Sequence, residues 1–187
     1  ALIGQSYHLG GLNSFAATTD LVNVGYESGL ESNVSDYVAM VGINDNSGFN
    51  RAARGRFDEE TFELRRSEIE ASLAKSRGSI TGRYTYIQAQ PLYGSSLDRH
   101  EISATASARL NANWSIFGSA TYDIVSNTLV KDSIGFAYDD ECFTYSLTAS
   151  ESRSPLEPDE KPVRSIGFFI SLRTLGDIGS TRTFDGT

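Results

Sequence analysis

The stretch from residue 165 to residue 172, Ser165-Ile166-Gly167-Phe168-Phe169-Ile170-Ser171-Leu172, decides the fold class. Four apolar side chains at alternate positions share one face of an extended chain: Ile166, Phe168, Ile170 and Leu172. The opposite face carries Ser165, Gly167 and Ser171, with Phe169 as the exception. Alternation with a period of two is typical of a half-buried β-strand.

The same alternation recurs in runs of roughly ten residues separated by turn residues. The clearest run is Trp114 to Ile124, where aromatic residues lie near each end of the apolar face. The full set of predicted strands is Leu2–Leu9, Asp36–Asn44, Phe49–Asp58, Glu59–Lys75, Ser79–Gln90, Glu101–Arg109, Trp114–Ile124, Leu129–Tyr138, Cys142–Ser152 and Ser165–Leu172. About ten such strands predict an all-β fold, an antiparallel up-and-down transmembrane β-barrel segment that is part of a larger barrel.

The segment Glu59–Lys75 has two competing interpretations. Asp58 would cap a helix, Glu59 and Glu60 suit a first turn, and the local propensity of the segment favours a helix. A strand here connects the neighbouring hairpins without a long crossover. We therefore expect a strand.

Composition excludes several function classes. The 187 residues carry a formal net charge of -8, which argues against nucleic-acid binding. No apolar run approaches the roughly 20 residues of a spanning helix. The first five residues, Ala1-Leu2-Ile3-Gly4-Gln5, lack the features of a signal peptide and resemble the middle of a strand. We therefore expect a C-terminal fragment of a longer protein. A single cysteine, Cys142, rules out an internal disulfide framework.

Connection lengths alternate along the predicted strands. If the C-terminus is periplasmic and the strands alternate back from it, the long connections fall on the outer side, at Gly10–Ser35, Pro91–Asp98 and Arg153–Pro162. Short turns would fall on the periplasmic side, at Asp45–Gly48, Lys75–Gly78, Asn111–Asn113 and Asp139–Glu141. This asymmetry is typical of outer-membrane barrels.

Two resemblances sharpen the prediction. The stretch 165–172 resembles the C-terminal strand signal of bacterial outer-membrane β-barrels. Several pieces in order resemble the C-terminal barrel region of the LPS-assembly protein LptD family in its alphaproteobacterial form: Leu2-Ile3-Gly4-Gln5-Ser6-Tyr7, Ser35-Asp36-Tyr37-Val38-Ala39, Trp114 with Tyr122-Asp123-Ile124, Tyr138-Asp139-Asp140-Glu141-Cys142-Phe143, and Ile170-Ser171-Leu172-Arg173-Thr174-Leu175-Gly176.

The second resemblance implies a function in the outer membrane of a Gram-negative bacterium. Members of that family insert lipopolysaccharide into the outer leaflet through a seam between the first and last barrel strands. Residues 1–187 would form a single C-terminal portion of the barrel, without the N-terminal periplasmic domain and first strands. The partners implied are lipopolysaccharide, a lipoprotein plug of the LptE type, a periplasmic bridge protein and the barrel-assembly machinery. No nucleic acid, cofactor or enzymatic activity is implied.

Candidate site residues follow from the same resemblance. Cysteines near Cys142 pair in the family with cysteines of the N-terminal region, so Cys142 is a disulfide candidate; an unpaired cysteine is the alternative. One side of the lateral seam would be formed by Ser165, Gly167, Ile170 and Leu172. Four arginines would face the lumen and contact lipopolysaccharide phosphates: Arg54, Arg56, Arg65 and Arg83.

More ordinary alternatives remain open at this point. The four arginines would instead belong to a solvated wall, paired with Glu63, Glu68 and Glu70. Asp139, Asp140 and Glu141 match no metal-binding loop, and the histidines are isolated, so no metal site is predicted. No catalytic constellation is present in the sequence, and we predict no enzyme. A different outer-membrane barrel (porin-like or a membrane-embedded enzyme) and a soluble β-sandwich binding module are the rival architectures.

Overall fold

A computed structural model describes residues 1–13, 15, 29–30, 32–89, 97–153, 161–172 and 176–185. These ranges form eleven strands: β1 Leu2–Gly4, β2 Tyr37–Asn44, β3 Phe49–Phe57, β4 Leu64–Lys75, β5 Gly78–Ile87, β6 Arg99–Arg109, β7 Trp114–Asp123, β8 Thr128–Asp139, β9 Phe143–Ser152, β10 Val163–Leu172 and β11 Gly176–Asp185. Each strand is hydrogen-bonded to the next in chain order. The predicted all-β, antiparallel, up-and-down architecture is therefore confirmed.

The ten predicted strands are all present, with small changes at their ends. The first is shorter than predicted, because β1 ends at Gly4 and only an isolated bridge joins Tyr7 to Val34. The prediction that Ser165–Leu172 is the last strand is wrong, because β11 pairs with β10 along its whole length. The long connections predicted at Gly10–Ser35, Pro91–Asp98 and Arg153–Pro162 lie largely outside the described residues. Within the described ranges, no helix has the length and apolar character needed to cross a membrane.

Three short turns share one local device, a side-chain oxygen that accepts two backbone N–H groups. Asp45 Oδ1 accepts from Ser47 and Phe49 between β2 and β3. Asn111 Oδ1 accepts from Asn113 at 2.9 Å and Trp114 at 2.8 Å. Asp140 Oδ1 accepts from Cys142 at 2.7 Å and Phe143 at 2.9 Å. Aspartate and asparagine favour such turns because their side chains replace a backbone acceptor.

The segment with two interpretations is a tight turn followed by β4. Asp58 Oδ1 accepts the N–H groups of Glu60 at 3.0 Å and Thr61 at 2.7 Å, so the helix-capping signal is real. Phe62 then adopts a left-handed backbone (φ 58°) that ends any helix, and its ring stacks on Tyr37 at 4.9 Å. The chain leaves this turn as a strand, as expected.

The described chain divides into two compact units. The first unit comprises Ala1–Ile43, Arg51–Ile69 and Thr85–Arg99. The second comprises Asn44–Asn50, Glu70–Tyr84 and His100–Thr187.

The second unit has one apolar and one hydroxyl-rich face. The register of β6 to β10 aligns apolar side chains across five strands, for example Ile102 with Tyr122, Ile116 with Phe136, and Leu147 with Phe168. An aromatic cluster marks one end of this apolar face, where successive rings are 5.1–6.0 Å apart: Trp114, Phe136, Tyr138, Phe143 and Tyr145. Serine and threonine dominate the opposite face, which we call the hydroxyl face, and pairs such as Ser119–Ser133 and Ser150–Ser165 join neighbouring strands at 2.8 and 2.7 Å.

Two phenylalanines interrupt the hydroxyl face, and each lies over a glycine of the next strand. A Cβ built on Gly135 would lie 2.5 Å from Phe117 Cζ, and one on Gly179 would lie 3.4 Å from Phe169 Cδ2. The rings thus cover backbone that has no side chain of its own, which stabilises a glycine within a sheet. This contact explains why both phenylalanines break the alternation.

No hydrophobic side chain is buried in the part of the chain that the structure describes. Apart from Gly135, the buried residues there are polar: Ser35, Asp36, Asp58 and Asp123. Large apolar residues such as Ile134, Ile166 and Ile178 are at least half exposed. The apolar faces therefore do not form the interior that a β-sandwich requires, and a contiguous apolar surface of this kind marks contact with a partner or a membrane.

Candidate functional site

A carboxylate cluster lies where β2 begins and β3 ends, in the first unit. One oxygen from each of Asp36, Asp58 and Glu59 lies within 4.8 Å of the others. Asp36 is only 7% exposed, since the backbone of Gly29 (φ +79°) packs against its carboxyl group. Ser35 fixes the approach of this segment, because its N–H donates to Ser6 O and its Oγ accepts from Ser6 N.

Burial and a hydrogen bond to Glu59 raise the pKa of Asp36 to about 6, although the guanidinium of Arg56 opposes the shift. The pKa of Glu59 is lowered by a backbone N–H and by the same hydrogen bond. The two carboxyl groups therefore share one proton below about pH 6. Backbone N–H groups, first that of Thr61, and Arg65 lower the pKa of Asp58, which is ionised.

All four arginines predicted to face the lumen have carboxylate neighbours. Arg54 Nη1 lies 3.6 Å from Glu68, and Arg83 Nε donates to Glu70 at 3.0 Å. Arg65 donates to Asp58 at 2.6 Å and to Gln88 at 3.0 Å. Arg56 Nε lies 3.1 Å from Asp36 Oδ2, but the angle is too poor for a hydrogen bond.

These partners separate the four arginines by role. Arg56 and Arg65 neutralise the carboxylate cluster. The cluster and these two arginines therefore form an ion-pair network that joins the segment before β2 to the β3–β4 turn. Glu68 and Glu70 are the partners that the wall interpretation named. The contact of all four arginines with lipopolysaccharide stays a prediction.

A groove of about 210 Å³ lies beside this network, also in the first unit. We call it the amphipathic groove, and its main lining side chains are Leu2, Val38, Met40, Arg54, Arg66 and Glu68. Leu2 lies opposite Met40 in the β1–β2 register, so both project from one face. Glu68 is the one acidic residue among the described lining residues, and it accepts from Arg66 at 3.0 Å and lies 3.6 Å from Arg54. The groove therefore combines an apolar wall with an excess of positive charge.

Sequence reasoning missed most of this groove. Arg66, Leu2 and Met40 carried no predicted role, because the alternation rule assigns one apolar face to each strand. The signal was present in β2, Tyr37-Val38-Ala39-Met40-Val41-Gly42-Ile43-Asn44, which is apolar on both faces. The carboxylate cluster was also missed, since Asp36 and Asp58 are remote in sequence.

Cys142 lies in the β8–β9 turn with its thiol exposed. Its neighbour Asp140 is engaged by backbone N–H groups, and Asp139 Oδ1 accepts from Thr144 Oγ1 at 2.8 Å. These acids therefore stabilise a polar turn. The pairing of Cys142 with a distant cysteine stays a prediction.

The residues predicted to form a seam lie on β10. Ser165 is paired with Ser150 of β9 and Thr183 of β11, and Leu172 with Phe143 and Gly176. β10 is thus hydrogen-bonded on both sides, and β11 ends the strand order in the described chain. A seam role for Ser165, Gly167, Ile170 and Leu172 stays a prediction.

Comparison with known proteins gives a consistent family. The family model of LptD, described as LPS transport system D, matches residues 1–114. An 81-residue stretch is 31% identical to an LPS-assembly protein LptD of Psychrobacter cryohalolentis and covers 43% of this chain and 8% of that protein. The corresponding match in Psychrobacter arcticus is 30% identical over 81 residues and covers 9% of that protein. The chain thus matches less than a tenth of the length of either relative.

Proposed function

Since the chain belongs to the LPS transport system D (LptD) family, we propose that it forms part of an outer-membrane β-barrel that inserts lipopolysaccharide into the outer leaflet. The observation that carries this proposal is the two-faced sheet of the second unit. Its apolar face is exposed and ends in aromatic residues, and its other face is hydroxyl-rich. Lipid covers such an apolar face in a barrel wall, and interfacial aromatics flank it.

Within this function, the amphipathic groove is the proposed contact for lipopolysaccharide. Lipid A joins acyl chains to phosphorylated sugars, so it requires apolar and cationic groups side by side. Val38 and Met40 offer the apolar wall, and Arg54 and Arg66 offer guanidinium groups that suit phosphate geometry. Both side chains are accessible, with 43% of Arg54 and 48% of Arg66 exposed.

A site-specific photocrosslinker tests the groove. We would place p-benzoylphenylalanine at Met40 of the native protein in cells, and at Thr148 on the hydroxyl face as the matched control. Lipopolysaccharide adducts at Met40 at least fivefold above those at Thr148 are expected. Equal adducts at the two positions would overturn the groove assignment, and absence of the protein from the outer-membrane fraction would overturn the barrel proposal.

The lateral seam is proposed to border β11, with β10 as the second strand from the opening. The predicted residues Ser165, Gly167, Ile170 and Leu172 would then support the seam through their pairing with β11. A photocrosslinker at Ile178 of β11 should capture lipopolysaccharide more than one at Ser146 of β9. The reverse order would contradict the seam proposal.

A disulfide from Cys142 to an N-terminal cysteine is the third part of the proposal. The exposed thiol on a short turn leaves room for a partner, and the periplasm is oxidising. Gel mobility of the native protein should change with reductant, and Cys142→Ser should abolish that change. A fully reactive Cys142 thiol in mature protein would refute the bond.

The proposed partners follow from the family alone. They are a lipoprotein plug of the LptE type, a periplasmic bridge protein and the barrel-assembly machinery. Affinity purification of the native protein from outer membranes, after chemical crosslinking, should recover the plug in near-equal amount. Its absence would remove that partner from the proposal.

A further inference from the structure

A second cavity lies in the second unit, where β4 to β7 meet the short turns. It holds about 360 Å³, and we call it the basic cleft. Its lining includes Lys75, Arg77 and Arg109, and Asp139 is the one acidic residue among the described lining residues. Three cations against one anion contrast with the net charge of -8 of the whole chain.

The two arginines of the basic cleft differ from most others in the described chain. Seven arginines elsewhere have a carboxylate within ion-pair distance: Arg54, Arg56, Arg65, Arg66, Arg83, Arg153 and Arg164. Arg77 and Arg109 have no carboxylate partner among the described residues, yet they are adjacent, since Arg109 N–H donates to Arg77 O at 2.7 Å. This backbone bond brings the two residues into the lining of one cavity, where their positive charges favour a bound anion.

The remaining lining groups suit an oxyanion. Ser79 Oγ and Ser107 Oγ lie 2.9 Å apart, so one hydroxyl of the pair is able to donate elsewhere. Asp139 has one carboxylate oxygen already engaged, because Thr144 Oγ1 donates to its Oδ1 at 2.8 Å. Lys75 also lines the cleft, and its Nζ donates to Ser47 O. Guanidinium, ammonium and hydroxyl donors together match a tetrahedral, doubly charged anion better than a single carboxylate.

We propose that the basic cleft binds a phosphate group, supplied either as free phosphate or on the headgroup of a lipid. None of its cations belongs to the amphipathic groove, and the argument uses only the charge and geometry of the cleft. The site therefore stands or falls independently of the lipopolysaccharide assignment.

Calorimetric titration of the purified native protein in detergent micelles tests this site. The probes are inorganic phosphate and, separately, dihexanoyl phosphatidic acid, both at low ionic strength. Arg77→Gln with Arg109→Gln should weaken phosphatidic acid binding at least tenfold. The matched control, Arg164→Gln with Arg182→Gln, removes the same charge outside the cleft and should change binding less than twofold.

The two probes distinguish the sources of phosphate. Tighter binding of phosphatidic acid, by tenfold or more, supports a lipid headgroup, whereas equal affinities support free phosphate. The proposal is overturned if neither probe binds, or if the cleft variant binds as well as the control. Should the double variant not assemble, as judged by loss of its heat-dependent gel shift, Arg109→Gln alone should still weaken binding at least threefold.

Discussion

The two units use their polar surfaces differently. In the second unit the hydroxyl face is uniform, and its serines bond to one another across strands, as in Ser119–Ser133. In the first unit the charged surface is heterogeneous, with apolar side chains beside arginines in the amphipathic groove and a buried carboxyl pair nearby. A uniform face provides a wall, whereas a heterogeneous one has the chemistry to hold an amphipathic ligand. Position on a polar face therefore does not by itself define function.

The largest expected effect is a loss of stability at the hydroxyl face of the second unit. Gly135→Ala would place a Cβ 2.5 Å from Phe117 Cζ and 2.8 Å from Leu147 O, so the ring and a backbone strand must both move. We expect a loss of about 2–3 kcal/mol in stability, as for overpacked sites. This loss of stability is measured as a fall in the temperature at which the native protein changes from its compact, faster-migrating form to its unfolded form on a gel. Gly82→Ala, where a Cβ meets nothing within 4 Å, is the control and should change little.

The next effect concerns the turn that supports the charged surface. Asp58→Ala removes an acceptor for two backbone N–H groups and the partner of Arg65. We expect about 1.5 kcal/mol of destabilisation, in the range for lost capping residues. Asp58→Asn keeps an acceptor oxygen and should cost less than half as much. Equal losses in the two variants would show that the negative charge of Asp58, rather than its hydrogen bonds to backbone N–H groups, stabilises the turn.

A third test asks whether the arginines of the amphipathic groove bind lipopolysaccharide. Arg54→Gln combined with Arg66→Gln should lower lipopolysaccharide adducts at a Met40 photocrosslinker about tenfold, equivalent to ~1.4 kcal/mol. Arg153→Gln combined with Arg164→Gln removes two arginines from ion pairs of the second unit and is the matched control. A similar fall in both variants would mean that the groove has no special affinity.

The smallest effect is a pH dependence confined to the first unit. The folded pKa of Asp36, about 6, exceeds its ordinary value of 3.8, so its contribution to stability is complete below about pH 4 and is lost as pH rises through 6. We expect about threefold faster hydrogen exchange of the Asp36 and Ser35 amides at pH 7 than at pH 5, after correction for intrinsic rates. Asp36→Asn should remove this difference, and its persistence would assign the effect to another group.

Local sequence patterns predicted most of the sheet. Alternation located the strands, and turn residues such as Asp45, Asn111 and Asp140 located the hairpins, because both signals are contained within a few residues. β11 was missed because Gly176–Asp185 has few apolar residues, and only its pairing with β10 defines it. Phe117 and Phe169 appeared as exceptions because the glycines beneath them belong to neighbouring strands.

The candidate sites depended on distant residues and were less predictable. The β2–β3 hairpin brings Asp36 to Asp58 and Glu59, a juxtaposition that no spacing rule encodes. The basic cleft likewise collects Lys75 and Arg109 from strands that are far apart in sequence. Cys142 was predicted to start a strand directly after the Asp139–Glu141 turn and lies in that turn, one residue before β9, but the identity of any partner lies beyond the local pattern.

The strict neighbour-to-neighbour order of the strands has a consequence for how the sheet arises. Each described strand pairs with the next one along the chain, and the aspartate and asparagine turns form their hydrogen bonds within a few residues. Closing the loop therefore costs little entropy at the hairpins that have these short turns. We therefore expect the sheet to grow by the addition of successive hairpins to an open edge. The loss or duplication of one hairpin would change the width of the sheet and leave the pairing of the other strands unchanged.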